Sequence, residues 1–131
     1  MLHVKDLSLT AGDFKLRSVT FDVKEGEYYF LLGESGSGKT LILEAISGIS
    51  RIRKGMVLVD GEDITGQPFN KRNVGLVFQN LALFPHKTVF RNIAFPLENN
   101  GAYDRKRIAN EVGEIAEKLS IGKLFDRFPG A

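Results

Sequence analysis

Cysteine is absent from the 131-residue chain, and so is tryptophan. Without thiols there is no disulfide framework and no thiolate metal site, and the composition fits a reducing compartment. An excess of one charge is missing too. Eighteen Lys and Arg stand against 16 Asp and Glu, a formal +2, too small a surplus to argue for a nucleic-acid partner. No apolar run approaches the roughly 18 residues that cross a bilayer, and Tyr28 to Leu32 is among the longest. Met1-Leu2-His3-Val4-Lys5-Asp6 carries no charged-then-apolar leader, so no secretory signal is expected. Repeats, low-complexity tracts and Pro/Gly/Ser-rich linkers are lacking as well. With 43% apolar and 26% charged residues, the chain has an ordinary globular composition and the length for one substantial core. The expectation is a single soluble, cytoplasmic unit of α/β size.

Leu2, Val4, Leu7 and Leu9 come close to a period of two and predict a strand over residues 2–9. Leu16, Val19, Phe21 and Val23 predict a second. Tyr28–Leu32, a continuous apolar run between glycines, predicts a strand buried on both faces, and Val74–Phe78 predicts another. Leu41, Ile42, Leu43, Ala45 and Ile46 predict a mostly buried helix stopping near Gly48. Val57-Leu58-Val59 before Asp60-Gly61 predicts a strand running into a tight turn. Val89–Leu97 is weakly helical, with Pro96 expected to limit it. The clearest helix spans 103–119. It gathers Ile108, Val112, Ile115, Ala116 and Leu119 on one face and pairs Arg107/Glu111 and Glu114/Lys118 at i,i+4 on the other.

One motif carries chemistry. Gly33-Glu34-Ser35-Gly36-Ser37-Gly38-Lys39-Thr40 matches G-x-x-x-x-G-K-[ST] in full. An apolar run leads in and a helical segment leads out, which disfavours the alternative of a surface turn with an incidental lysine. Glycines let backbone N–H groups curl around a phosphate, and a helix starting near Lys39 aims its positive end at the same place. Lys39 is the candidate to meet the β- and γ-phosphates of ATP, and Thr40 the candidate Mg²⁺ ligand. Glu34, Ser35 and Ser37 would contribute backbone.

Together with this loop, two further stretches resemble the ATP-binding-cassette (ABC) transporter ATPases. They are Val74-Gly75-Leu76-Val77-Phe78-Gln79-Asn80-Leu81-Ala82-Leu83-Phe84-Pro85-His86, continuing through Thr88-Val89-Phe90-Arg91-Asn92-Ile93, and Leu58-Val59-Asp60-Gly61-Glu62-Asp63-Ile64. The likeness is to importer ATPases, those for molybdate, tungstate and related oxyanions among them. It implies an α/β P-loop NTPase fold with an N-terminal antiparallel β subdomain. It also implies ATP and Mg²⁺ as cofactors, and ATP hydrolysis that drives import. By position Gln79 becomes the glutamine that meets Mg²⁺ and the attacking water and links the site to the membrane subunits. Phe84, Pro85 and His86 fall where a permease helix docks, or else form a small satellite core around a proline turn. Phe14 is the nearest aromatic to the position that stacks on adenine and is as readily a core residue. The implied partners are transmembrane permease subunits and a second ATPase copy, with the protein peripheral on the inner face of the cell membrane. His3 and His86 suggest no metal set, and Arg51/Arg53/Lys54 and Arg105/Lys106/Arg107 read as solvated faces.

The resemblance covers residues 1–131 as the N-terminal part of one nucleotide-binding domain, incomplete at its C-terminus. The family's signature loop, Walker B strand, catalytic Glu and switch histidine have no counterpart in these residues. The chain is therefore expected to bind ATP without hydrolysing it, and to leave Tyr28–Leu32 short of a neighbour, favouring marginal stability or self-association. A P-loop small-molecule kinase and a nucleotide-dependent interaction module without turnover are the competing readings. No Arg-rich lid follows the P-loop to favour the kinase.

Overall fold

Strand β1 (Leu2–Ala11) breaks its alternation at Asp6, which adopts φ 48°. The bulge re-phases the strand, so that Val4, Leu7 and Leu9 all face inward and are buried. This explains why the apolar spacing in the sequence slips by one between Val4 and Leu7. Ser18 of β2 (Phe14–Val23) bulges opposite at φ 51°, and its hydroxyl donates to the Asp6 carboxylate at 3.0 Å. The computed structural model describes residues 1–99 and 101–130. They form two units, Met1–Leu76 and Val77–Ala131.

The first unit is built on a four-stranded sheet in the order β2-β1-β3-β4, with β3 at Lys54–Val59 and β4 at Glu62–Asp63. Every pairing is antiparallel. Asp60 and Gly61 join β3 to β4, both at positive φ (49° and 85°), as a type I′ turn requires. Helix α1 (Lys39–Ser47) buries Ile42, Ala45 and Ile46 in one core with Val4, Leu7, Leu9, Leu16, Val57 and Ile64. The N-terminal antiparallel β subdomain and the helix after the glycine-rich loop are as the sequence leads one to expect.

Two expected strands are not formed. Tyr28–Leu32 and Val74–Phe78 are irregular and pair with nothing among the described residues. Tyr28, Phe30 and Leu32 are 91%, 76% and 89% exposed, and Val77 is 85% exposed. Only Leu31 and Val74 of these runs pack on the first unit's core, while Tyr29 stacks on Phe21 at 5.0 Å. A doubly buried strand exists only where neighbours take up its N–H and C=O groups and cover both faces. The described residues supply neither.

The second unit is a pair of helices, α2 (Val89–Asn99) and α3 (Arg105–Lys118). Asp104 caps α3 by accepting from the Arg107 N–H at 2.7 Å. Two free N–H groups at the start of α2 are taken by the returning chain, Val89 N–H on Arg127 O at 2.8 Å and Phe90 N–H on Phe125 O at 3.1 Å. Ala94, Ile108 and Val112 form the core, with Phe90, Ile93, Leu97, Tyr103 and Phe125 around it. Pro96 does not stop α2, which runs on to Asn99. The lost bond to the Asn92 carbonyl is one of a ladder, and the packing of Ile93, Ala94 and Leu97 carries the helix past it. The buried stripe of α3 is narrower than its sequence pattern: Ile108, Val112 and Ala116 are covered, whereas Ile115 and Leu119 are 43% and 62% exposed. Of the two expected ion pairs, Arg107–Glu111 is formed, at 3.8 Å. No helix among the described residues is long and apolar enough to cross a membrane.

Candidate functional site

The loop from Gly33 to Gly38 folds around the ammonium of Lys39. Lys39 Nζ donates to Gly33 O at 2.8 Å and to Glu34 O at 2.7 Å, with Ser37 Oγ at 3.4 Å. The Ser37 N–H turns back onto Glu34 O at 3.2 Å. Gly38, at φ 92°, hands the chain to α1, whose first hydrogen bond runs from Ile42 N–H to Gly38 O at 3.0 Å. This helix start has no side-chain cap and no acidic residue in its first turn. Its partial positive charge is open to an anion, and Lys39 adds a full one. Thr40 is exposed in the same turn. An ammonium, a hydroxyl and the N–H groups of an uncapped helix start belong to one short stretch, a set of groups whose chemistry suits a polyphosphate with its cation.

Phe14 supports the loop from beneath. A Cβ placed on Gly38 would come within 2.9 Å of the Phe14 ring and 3.3 Å of Leu16 Cδ1. Phe14 is 39% exposed, so part of one ring contacts the loop while the rest meets solvent.

The far end of α1 is fastened by a residue the sequence gives no reason to single out. Arg72 is 7% exposed. It donates from Nη1 to Ala45 O (2.7 Å) and Ile46 O (2.9 Å), from Nη2 to Thr65 O (2.7 Å) and from Nε to Gln67 O (2.8 Å). One guanidinium thus ties the C-terminal carbonyls of α1 to the segment after β4, complementing the helix's negative end. Burial lowers the Arg72 pKa, and the charge of Asp63 works against that. Hydrogen bonding from Thr65, including its N–H at 2.9 Å, holds the Asp63 carboxyl below its ordinary value of 3.8, and Arg72 adds to the effect. A lone arginine in a loop leaves no periodic or spacing signal. Its role emerges only from the carbonyls around it.

Gln79 belongs to the second unit. It is exposed and occupies the turn Phe78–Leu81, closed by Leu81 N–H on Phe78 O at 2.9 Å. Leu81 and Ala82 follow at φ 60° and 47°, left-handed positions that non-glycine residues take rarely. The Phe84 ring lies 4.5 Å from Phe95 and 6.0 Å from His86, centroid to centroid. Lys87 Nζ sits 5.2 Å from the Phe84 ring and 4.3 Å from the Phe95 ring. The sequence also leaves Asn92 unmarked, although its side chain makes four contacts with the backbone of this stretch.

Two acidic groups after β3 are engaged elsewhere. Asp60 binds the Met1 amino group, and Glu62 accepts from Gln67 at 2.7 Å.

Residues 16–130 match the profile of the ABC transporter family. The molybdate/tungstate import ATP-binding protein WtpC of Pyrococcus horikoshii is 51% identical over 129 residues, covering 98% of this chain and 37% of that protein. Its namesake in Methanocaldococcus jannaschii is 45% identical, over 97% of this chain and 42% of its own length. The spermidine/putrescine import ATP-binding protein PotA of Thermotoga maritima is 44% identical, over 94% and 33%. The chain thus spans less than half the length of these curated relatives. Among solved structures, a dimeric ATP-binding cassette in a post-hydrolysis state with ADP and phosphate shares the fold. Its TM-score is 0.80 at 23% identity, over 98% of this chain and 62% of that one.

Proposed function

Because the chain belongs to the ABC transporter family, we propose that it is the nucleotide-gripping part of an import ATPase, and that Gly33–Thr40 is where ATP binds. The observation that carries this reading is the Lys39 ammonium gathered into the loop mouth at an uncapped, acid-free helix start. Lys39 and the loop N–H groups bind and orient the β- and γ-phosphates. Thr40 holds Mg²⁺ through its hydroxyl, and the ion supplies charge neutralisation along the triphosphate. Gln79 reads the state of the γ-phosphate, and Phe84-Pro85-His86 meets a permease subunit at the inner face of the membrane. The full protein works as a pair of ATPase subunits. An oxyanion such as molybdate or tungstate is favoured as cargo over a polyamine on the 51% identity to one molybdate/tungstate import protein, the other proteins of that name standing at 43–45%, level with the 44% of the spermidine/putrescine one.

On this reading the chain alone grips nucleotide without turning it over, since Asp60, Glu62 and Asp63 are held by Met1, Gln67 and Thr65. Calorimetric titration with ATP and Mg²⁺ tests the grip. Lys39→Ala removes a charge-assisted bond worth about 1.5–3 kcal/mol, so its affinity is expected to fall at least tenfold. Equal affinity of both proteins would refute the assignment.

A further inference from the structure

Asn92 sits on the first turn of α2 with its side chain turned back toward the preceding loop. Its Oδ1 accepts from the Phe84 N–H at 2.8 Å. Its Nδ2 donates toward Phe84 O (3.1 Å), Lys87 O (3.0 Å) and Thr88 O (3.0 Å). One donor faces the oxygen and three carbonyls face the nitrogen, which fixes the amide's orientation. Two amide protons are thereby shared among three acceptors.

These bonds are not needed to start the helix. Thr88 caps α2 through Oγ1, which accepts from the Arg91 N–H at 3.3 Å, and Thr88 O takes the Asn92 N–H at 2.9 Å. Nor is Asn92 part of the core formed by Ala94, Ile108 and Val112. What the side chain does is bind both polar backbone groups of Phe84. It braces the turn that Lys87 N–H closes on Phe84 O at 3.1 Å, and the aromatic and cationic members of that turn, Phe84 and Lys87, lie against Phe95 of α2.

We infer that Asn92 is a positioning residue for the permease-facing loop: one amide, bonded to Phe84, Lys87 and Thr88, presents the Phe84 ring preformed and ties its movement to α2. The inference rests on the reading of Phe84-Pro85-His86 as the permease contact. A loop held this way docks without first being ordered, and force applied at Phe84 passes directly into the first turn of a helix.

The test uses the full-length ATPase, alone and reconstituted with its permease in proteoliposomes. Asn92→Leu keeps the volume and removes every polar contact. Asn92→Asp keeps the acceptor for Phe84 N–H and turns an oxygen onto three carbonyls. In Asn92→Leu, amide exchange at Phe84 is expected to accelerate about tenfold or more while Val112 keeps its protection. The permease concentration giving half-maximal stimulation of ATPase is expected to rise by a similar factor, with the KM for ATP of the free subunit unchanged. Asn92→Asp is expected to retain part of the Phe84 protection and to shift the permease response less than Asn92→Leu. It also serves if the leucine variant fails to fold.

Unchanged Phe84 exchange in both variants would overturn the inference. So would faster exchange with a normal permease response, provided Phe84→Asp abolishes that response. A normal response in Phe84→Asp would instead overturn the contact reading beneath it.

Discussion

A Cβ on Gly48 would lie 2.6 Å from Nε of Arg72. Gly48 closes α1 at φ 89°, donating its N–H to Glu44 O and Ala45 O. The Arg72 guanidinium passes through the space its missing side chain leaves and reaches the Ala45 and Ile46 carbonyls. A glycine and an arginine 24 positions apart therefore make one joint, at the opposite end of the helix from the glycine-rich loop.

Gly48→Ala is expected to destabilise the protein by about 2–4 kcal/mol, from left-handed strain and overpacking against Arg72. Arg72→Ala removes four hydrogen bonds, leaving Ile46 O without its donor while Ala45 O keeps the Gly48 N–H, and is expected to cost about 2–5 kcal/mol. The double variant removes the collision, so its loss should fall short of the sum by 1 kcal/mol or more. Denaturant titration of the four proteins checks this, and additivity within about 0.3 kcal/mol would contradict it.

Gly38→Ala meets a similar obstruction in the loop. Its Cβ would press on the Phe14 ring at 2.9 Å from a backbone already at φ 92°. Nucleotide binding is expected to be lost, with about 1–3 kcal/mol of stability. Adding Phe14→Ala relieves the contact but not the strain, so binding by Gly38→Ala/Phe14→Ala is expected to stay well below wild type in calorimetry. Full recovery would mean that contact alone matters.

Asp63 gives the protein a sensitivity at acid pH. Its folded-state pKa lies below 3.8, chiefly through Thr65. Its ionised form therefore contributes stability that is fully present above 3.8 and is lost as pH falls through the lowered value. Asp63→Asn is expected to flatten that part of the stability profile and to change little near pH 7 beyond a constant offset. Thermal melts between pH 2.5 and 7 supply the comparison.

The 131-residue chain, with ATP and Mg²⁺, is expected to release phosphate at background rate. A general base is worth roughly 10²–10⁴-fold. Asp60, Glu62 and Asp63 already have partners in Met1, Gln67 and Thr65. A phosphate-release assay showing robust turnover that Lys39→Ala abolishes would place a base within these residues.

What could be read from the sequence was whatever is local. The glycine-rich loop, α1 with its glycine stop, the Asp60-Gly61 turn and α3 all follow from neighbours a few positions apart, and the structure forms each. Tyr28–Leu32 and Val74–Phe78 differ from the strands their pattern predicts because an apolar run reports the wish for cover, whereas a strand also needs a partner that no run encodes. Pro96 does not limit α2 because packing against α3 outlasts one missing bond. Arg72 and Asn92 were invisible for a different reason. Each acts on backbone carbonyls, and every sequence has those everywhere.

Nine residues separate the exposed loop from the buried guanidinium, a helix of about 13 Å. The cations at its two ends live in different media. Lys39, half-buried against its own exposed loop, sits at the uncapped helix start near solvent, where mobile ions screen attraction beyond about 8–10 Å at physiological ionic strength. Arg72, bonded to four carbonyls with the Asp63 charge acting on it besides, is enclosed and scarcely feels added electrolyte. Raising the ionic strength should therefore loosen the hold on a polyanion at one end of α1 and leave the clamp at the other end unmoved, so that affinity and fold stability part company along a single short helix.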